Sequence, residues 1–239
     1  LVIASELAMD ATAPGPRGVE TELSSIDWSA LIDHEQAVVD DLVDINRDGL
    51  EQYDGIDFIE GHGRLLGPGK VAVGDRELDC EHVFIATGLK PARPPIDGAE
   101  LGQTSDQFLR DPELPESIVI VGGGYIGVEF GSVLEAFGVD VEILHRPPHL
   151  IKNYDADVAD ALCEQLRDRG IKVLTGTEVQ EIDEEGDGYR VVYQQGDNNV
   201  DSTEGDRVIL ATGRRPNTDG LGLEEAGVRT SDDGAIEVD

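Results

Sequence analysis

Cysteine is scarce: the 239 residues hold two. Cys80 and Cys163 are too far apart for a CxxC redox pair, a metal cluster or a disulfide framework, and both read as ordinary buried thiols. Long apolar runs are missing as well. None approaches the roughly 20 residues needed to span a bilayer, and the N-terminus lacks the basic region, apolar stretch and cleavage site of a secretory signal. The expectation is a cytoplasmic protein. Positive charge is the third shortage. Acidic residues number 51 against 18 basic ones, a formal net charge of −33, and lysine occurs only at Lys70, Lys90, Lys152 and Lys172. Such a surface repels nucleic acid and anionic membrane, so neither is expected as a partner. Dense carboxylates hold hydration while molar salt screens their mutual repulsion. The composition resembles that of a halophilic, salt-adapted proteome, and the charge then reports habitat rather than partner.

What is present is enough apolar residue, 39%, for a real core in one large domain or two modest ones. Ser117-Ile118-Val119-Ile120-Val121 needs burial, which argues against disorder despite the charge. The stretch from Ala30 to Tyr53 has helical periodicity, with Leu31, Val38, Leu42, Ile45 and Leu50 near one face and Gly55 as its stop. Strand-like pieces follow at Ile56–Glu60, Lys70–Val73 and Glu81–Ile85, the last running into Ala86-Thr87-Gly88. Pro91-Ala92-Arg93-Pro94-Pro95 then breaks regular structure and marks a domain crossing. Beyond it the pattern is strand (Ile118–Val121), helix (Gly124–Phe137), strand (Val141–Leu144) and helix (Asp155–Arg169) closed by Gly170, a βαβα unit. After Ile171–Leu174 come alternating strands at Glu178–Ile182 and Tyr189–Tyr193, then Val208 to Gly213. That last run ends on Ala211-Thr212-Gly213, a repeat of the earlier Ala-Thr-Gly, which suggests two similar units in one chain.

Gly122-Gly123-Gly124-Tyr125-Ile126-Gly127 contains G-x-G-x-x-G. Alone the pattern is weak in a glycine-rich chain, but here it follows an aliphatic strand and opens an apolar-faced helix, the setting that the dinucleotide fingerprint requires. Gly122 permits the tight turn, Gly124 lets a pyrophosphate approach the backbone, and Gly127 lets helix and strand pack closely. Free N–H groups at the helix start would receive the diphosphate. At the end of the next strand an NAD site normally carries an acid, about twenty residues after the glycines, for the ribose 2′-hydroxyl. Here that place holds His145, followed by Arg146 and, a little later, Lys152. These basic groups in an acidic chain suit a 2′-phosphate, so NADP is favoured over NAD.

Gly122 through Gly131, with Tyr125, Ile126 and Glu129, resembles the NAD(P)H site of class I pyridine-nucleotide disulfide oxidoreductases, the glutathione, mycothione, mercuric and dihydrolipoamide reductases. The resemblance extends to Gly61-His62-Gly63-Arg64, Ala86-Thr87-Gly88, Thr104-Ser105-Asp106 and Ala211 through Thr218, in order along nearly the whole chain. It includes the bis-γ-glutamylcystine reductase of salt-loving archaea. It implies an α/β fold of two Rossmann-like dinucleotide-binding domains, three-layer ββα, with the flavin domain incomplete. Residues 1–89 would belong to the first half of the FAD domain, 90–215 to the NAD(P)H domain and 216–239 to the return segment. Leu1-Val2-Ile3-Ala4-Ser5 is similar to the helix after the family's redox cysteines, so that pair and the first flavin fingerprint are expected before Leu1, and the dimerisation domain and catalytic His-Glu pair beyond Asp239.

By the same resemblance Tyr125 is a gate that covers the flavin until nicotinamide displaces it. Glu129, one helical turn on, borders the nicotinamide and would pair with a lysine near the redox cysteines. His62, Gly63, Thr87 and Gly88 would contact FAD, and Gly213 and Arg214 the nicotinamide nucleotide. Arg146 and Lys152 stand in the register where glutathione-reductase-like enzymes place cations around the 2′-phosphate. His34, His82 and His149 match no catalytic pattern, and no metal site is expected. The implied activity is hydride transfer from NADPH to FAD and on to a low-molecular-weight disulfide, in a homodimer. Dihydrolipoamide and mercuric ion are the alternative substrates. Other readings are a non-redox nucleotide-binding module, or an NADH-oxidase- or ferredoxin-reductase-like flavoprotein.

Overall fold

The computed structural model describes residues 1–13, 21–196 and 199–238. In chain order the described elements begin with α1 (Val2–Thr12), α2 (Trp28–Glu51), β1 (Gly63–Gly67), β2 (Lys70–Val73), β3 (Arg76–Asp79) and β4 (Leu89–Pro91). They continue with β5 (Gln103–Thr104), α3 (Ser105–Phe108), β6 (Ser117–Val121), α4 (Tyr125–Ala136), β7 (Asp140–His145) and α5 (Ala156–Asp168). The last are β8 (Lys172–Thr175), β9 (Thr177–Glu185), β10 (Gly188–Gln195), β11 (Asn199–Gly205), β12 (Arg207–Leu210) and β13 (Arg214–Pro216). The chain divides into two compact units, Leu1–Ala37 with Pro91–Gly213, and Val38–Lys90 with Arg214–Asp239.

The larger unit is built on a five-stranded sheet of order β5-β12-β6-β7-β8. Its pairings run parallel, Ile120 lying between Ile209 of β12 and Ile143 of β7. A strand buried on both faces is apolar without alternation, and its successive side chains still point opposite ways. Ile118, Ile120, Ile143 and Ile209 accordingly share one cluster with Val133 and Leu134 of α4 and Cys163 and Leu166 of α5. Val119, Val121, Leu144, Val208 and Leu210 face the other way, against Val179, Ile182, Val191 and Tyr193. Those partners come from the antiparallel sheet β11-β10-β9. The result is three layers, helix on parallel sheet on antiparallel sheet, as the family resemblance implied. Each fully buried aliphatic side chain stabilises this arrangement by about 1.5–3 kcal/mol. The Trp28 ring packs beside Phe108 and Phe137, and its Nε1–H donates to the Asp111 carbonyl at 2.9 Å.

The smaller unit carries the antiparallel sheet β1-β2-β3, with Leu65 opposite Val71 and Val71 opposite Leu78. Gly69 and Gly74, both left-handed, make its turns. Its buried cluster is Leu65, Leu221 and Leu223. The expected strands at Ile56–Glu60 and Glu81–Ile85 do not form: both segments are irregular. A β-strand is stabilised by hydrogen bonds to a neighbour, and apolar β-branched residues alone cannot supply them. Phe84, in the second segment, is 93% exposed. Among the described residues no helix is long and apolar enough to cross a membrane, and no group of three or more His, Cys, Asp or Glu side chains could hold a metal ion.

Candidate nucleotide site

β6 delivers the chain to the glycines as a buried run, and the Gly122 N–H donates to the Leu144 carbonyl at 2.8 Å, tying the turn to β7. Gly122 has φ 119°, and a Cβ there would stand 2.2 Å from the Ala211 carbonyl oxygen. A Cβ on Gly127 would stand 2.0 Å from the Gly122 oxygen. The first and last glycines of the fingerprint are thus demanded by the packing of helix on strand. Gly124 is different. A Cβ there would meet nothing within 4 Å, so this backbone faces open space, as the N-cap of α4. The first N–H groups of a helix have no partner within it and sit at the positive end of its dipole, which makes this end of α4 a cradle for a diphosphate.

At the end of β7, His145 is only 8% exposed. Its Nδ1 accepts the Gly123 N–H at 2.9 Å, and its Nε2 lies 3.0 Å from the His149 carbonyl oxygen. A backbone N–H can only donate, so Nδ1 is unprotonated, Nε2 carries the hydrogen, and the ring is neutral. Burial holds its pKa below the ordinary value of 6.5, and the nearby Lys152 and Arg146 charges lower it further against the His149 contact. The sequence had grouped His145 with Arg146 and Lys152 as a basic trio at a 2′-phosphate. The geometry separates them: both imidazole nitrogens are used inside the protein. Arg146 and Lys152 are exposed. The Arg146 guanidinium makes a loose ion pair with Glu178 at 3.6 Å.

Tyr125 and Glu129 are both exposed, four residues apart on α4 and therefore on neighbouring positions of one face, while Ile126 is half-buried against the core. Gly213 closes the larger unit with φ 118°, its carbonyl accepting the Ala92 N–H at 2.9 Å. The residues expected at a flavin lie in the smaller unit. Exposed His62 precedes β1, whose Gly63 pairs with Val73. The Thr87 and Gly88 carbonyls accept from the Asn217 side chain at 3.3 Å and its backbone N–H at 3.0 Å. Arg214, expected at the nicotinamide nucleotide, also lies in this unit, its guanidinium donating to the Leu89 carbonyl at 2.8 Å. Sequence reasoning passed over His149, whose Nδ1 meets Asp160 of α5 at 2.8 Å, and Ile151, whose N–H donates to the Gly123 carbonyl at 2.8 Å. The spacing of His145 and His149 around two prolines was the available signal.

Residues 10–239 match the family model described as pyridine nucleotide-disulphide oxidoreductase. The chain belongs to that family. The disulphide oxidoreductase match is repeated by individual relatives. A glutathione reductase of Burkholderia cepacia is 33% identical over 93% of the chain and 48% of its own length. A dihydrolipoyl dehydrogenase of Halobacterium salinarum is 31% identical over 100% of the chain and 52% of its own length. Among solved structures, the HOCl-induced flavoprotein disulfide reductase RclA from Escherichia coli superposes with a TM-score of 0.82 at 31% identity, covering 90% of this chain and 49% of that one. The chain thus spans about half the length of the relatives it matches. The family implies FAD and a pyridine nucleotide, and the open backbone at Gly124 with the exposed cations Arg146 and Lys152 suits the latter.

Proposed function

We propose that this chain supplies the nicotinamide-nucleotide site of an NADPH-driven, FAD-dependent disulfide reductase whose acceptor is a low-molecular-weight disulfide. The observation that carries the reading is the open Gly124 cradle at the N-terminus of α4, next in the fold to the loop after β7, which bears two exposed cations, Arg146 and Lys152. Gly124 and the first turn of α4 receive the pyrophosphate. Arg146 grips the 2′-phosphate with paired charge-assisted hydrogen bonds and Lys152 adds a point charge. Tyr125, projecting from the helix start, gates the nicotinamide, and Glu129 borders it. In the smaller unit His62, Gly63, Thr87 and Gly88 lie along the flavin, and in the larger unit Gly213 borders the nucleotide. Bound FAD supplies the two-electron relay between nicotinamide and disulfide. Dihydrolipoamide is the second substrate reading, with electrons then running from its dithiol to the flavin, favoured by the Halobacterium relative that matches the whole chain.

Titration of the full-length protein with NADPH and NADH tests the site. NADPH is expected to bind more tightly, and Arg146→Glu to reverse or abolish the preference, because the new carboxylate repels the phosphate and accepts from a ribose hydroxyl. Equal affinities, or a ratio unmoved by the substitution, would defeat the reading. The net charge of −33 supports salt adaptation. A thermal midpoint that rises between 0.1 M and 2 M KCl is expected, as screening shortens from about 10 Å to below about 3 Å. An unchanged midpoint counts against it.

A further inference from the structure

We infer that His145 is a positioning residue: as a neutral imidazole it locks the pyrophosphate loop at Gly123 to the loop that carries Arg146 and Lys152, holding the two halves of the nucleotide site at one spacing. This rests on the dinucleotide reading above and deepens it.

Gly123 is held at both ends of its residue. Its N–H donates to His145 Nδ1 at 2.9 Å, and its carbonyl accepts the Ile151 N–H at 2.8 Å. The fit is close: a Cβ on Gly123 would stand 2.4 Å from Leu150 Cδ2 and 2.8 Å from His145 Cγ. The fingerprint leaves its second position free, yet here that position must be glycine, because His145 and Leu150 fill the space. Ile151 has φ 43°, a left-handed conformation that a β-branched residue strongly disfavours. Such strain persists only where the surroundings hold it. That turn aims the Ile151 N–H at Gly123 and carries the chain directly to Lys152. The lock continues outward from His145 Nε2 to the His149 carbonyl, and from His149 Nδ1 to Asp160 of α5.

Charge decides the state of the lock. Around the ring stand Arg146 and Lys152 from its own loop, the His149–Asp160 pair, and Glu178 of β9 reached through Arg146. A proton on Nδ1 would set one N–H against another and break the bond to Gly123. Because the folded value lies below 6.5, the neutral ring's contribution is present above that ordinary value and lost as pH falls through the lowered one. The lock is closed at neutral pH.

Three variants of the full-length protein separate the possibilities. His145→Asn places an amide oxygen where Nδ1 accepts and cannot be protonated; His145→Gln can keep the donor towards His149; His145→Ala keeps neither. Near neutral pH the alanine variant is expected to weaken NADPH and NADH alike, each Kd rising about tenfold. The asparagine variant should stay close to wild type and the glutamine variant should resemble alanine. Towards about pH 5 wild type should lose affinity that the asparagine variant keeps, the 2′-phosphate's own titration near about 6 being common to both. Ring ¹⁵N shifts should show the Nε2–H tautomer at neutral pH. An alanine variant that weakens NADPH while sparing NADH would make His145 a phosphate ligand and overturn the lock. So would one that matches wild type in Kd and pH profile, or a ring found doubly protonated at neutral pH. A wild-type protein that binds neither nucleotide defeats the reading of the site itself.

Discussion

The two units contain the same kinds of apolar residue and treat them differently. In the larger, Ile118, Ile120, Ile143, Ile209 and Leu210 are all fully buried, because each layer covers the next. In the smaller, burial among the described residues is confined to Leu65, Leu221 and Leu223, while Leu42, Ile45, Phe58 and Phe84 are exposed. Apolar content therefore does not make a core. A sheet or helix has a face to bury, and a second layer must meet it. The larger unit should accordingly behave as the stable body of this chain, and the smaller as a region that opens at low cost.

The native cysteines report on the two units separately. Cys163 of α5 is buried, and that burial pushes its thiol pKa up, outweighing the nearby Arg167 charge. Cys80, just after β3 in the smaller unit, is partly exposed. Only a thiolate reacts, so a thiol reagent should modify Cys80 at least about a hundredfold faster than Cys163. Amides of β6, β7 and β12 should be the last to exchange with solvent. Equal labelling rates would break the contrast at its root.

Substitutions sharpen it next. Ile143→Ala or Ile209→Ala should cost about 2–5 kcal/mol, the lost transfer energy plus the cavity left behind. Phe84→Ser or Leu42→Ser should fall within about 0.5 kcal/mol of zero. Trp28 is the single tryptophan and lies in the larger unit, so its fluorescence follows that unit through a urea transition. A Phe84→Ser cost comparable to Ile143→Ala would mean that the smaller unit's apolar face is covered after all.

The same contrast explains what could be read from residues alone. The βαβα core was legible because its strands are buried on both faces and so carry unbroken aliphatic runs, and because Gly122 and Gly127 meet a steric demand that leaves a mark in sequence. β11, Asn199-Val200-Asp201-Ser202-Thr203-Glu204-Gly205, was not legible: it is a polar edge strand, defined by its pairing with β10 rather than by its own pattern. Ile56–Glu60 and Glu81–Ile85 failed in the opposite sense, having strand composition without strand partners. At the site, the cationic character of Arg146 and Lys152 is a property of the residues themselves. That of His145 depends on burial and on which group meets each nitrogen, which only the fold decides.

The smallest expected effect separates a strongly shifted group from a stabilising one. Asp219, in the smaller unit, takes Lys90 at 2.6 Å and Arg215 at 2.9 Å, and hydrogen bonds from Arg215 and then Lys90 hold its carboxyl at about 2, against an ordinary 3.8. Asp111, in the larger unit, is also held below 3.8: burial pushes it up, but the Gln103 amide, the Glu113 N–H and the Arg207 guanidinium outweigh that. Both values are depressed, so each group contributes stability above 3.8 that is lost as pH falls through its folded value. The difference lies in solvent. The Asp219 side chain is 59% exposed and that of Asp111 11%, and water screens an exposed pair while its partners lose little when it goes. Removing the Asp111 charge strands the donor of Gln103 and weakens the hold on Arg207, joining β5 and β12 less firmly. Asp111→Asn should therefore cost about 1–3 kcal/mol near neutral pH, with the gap to wild type narrowing below 3.8 as the native carboxyl protonates. Asp219→Asn should barely move either unit, although carboxyl ¹³C shifts would show Asp219 titrating at about 2. Urea transitions of both variants near neutral and at acid pH decide it, and an Asp219→Asn cost equal to that of Asp111→Asn would show that exposure does not separate the two.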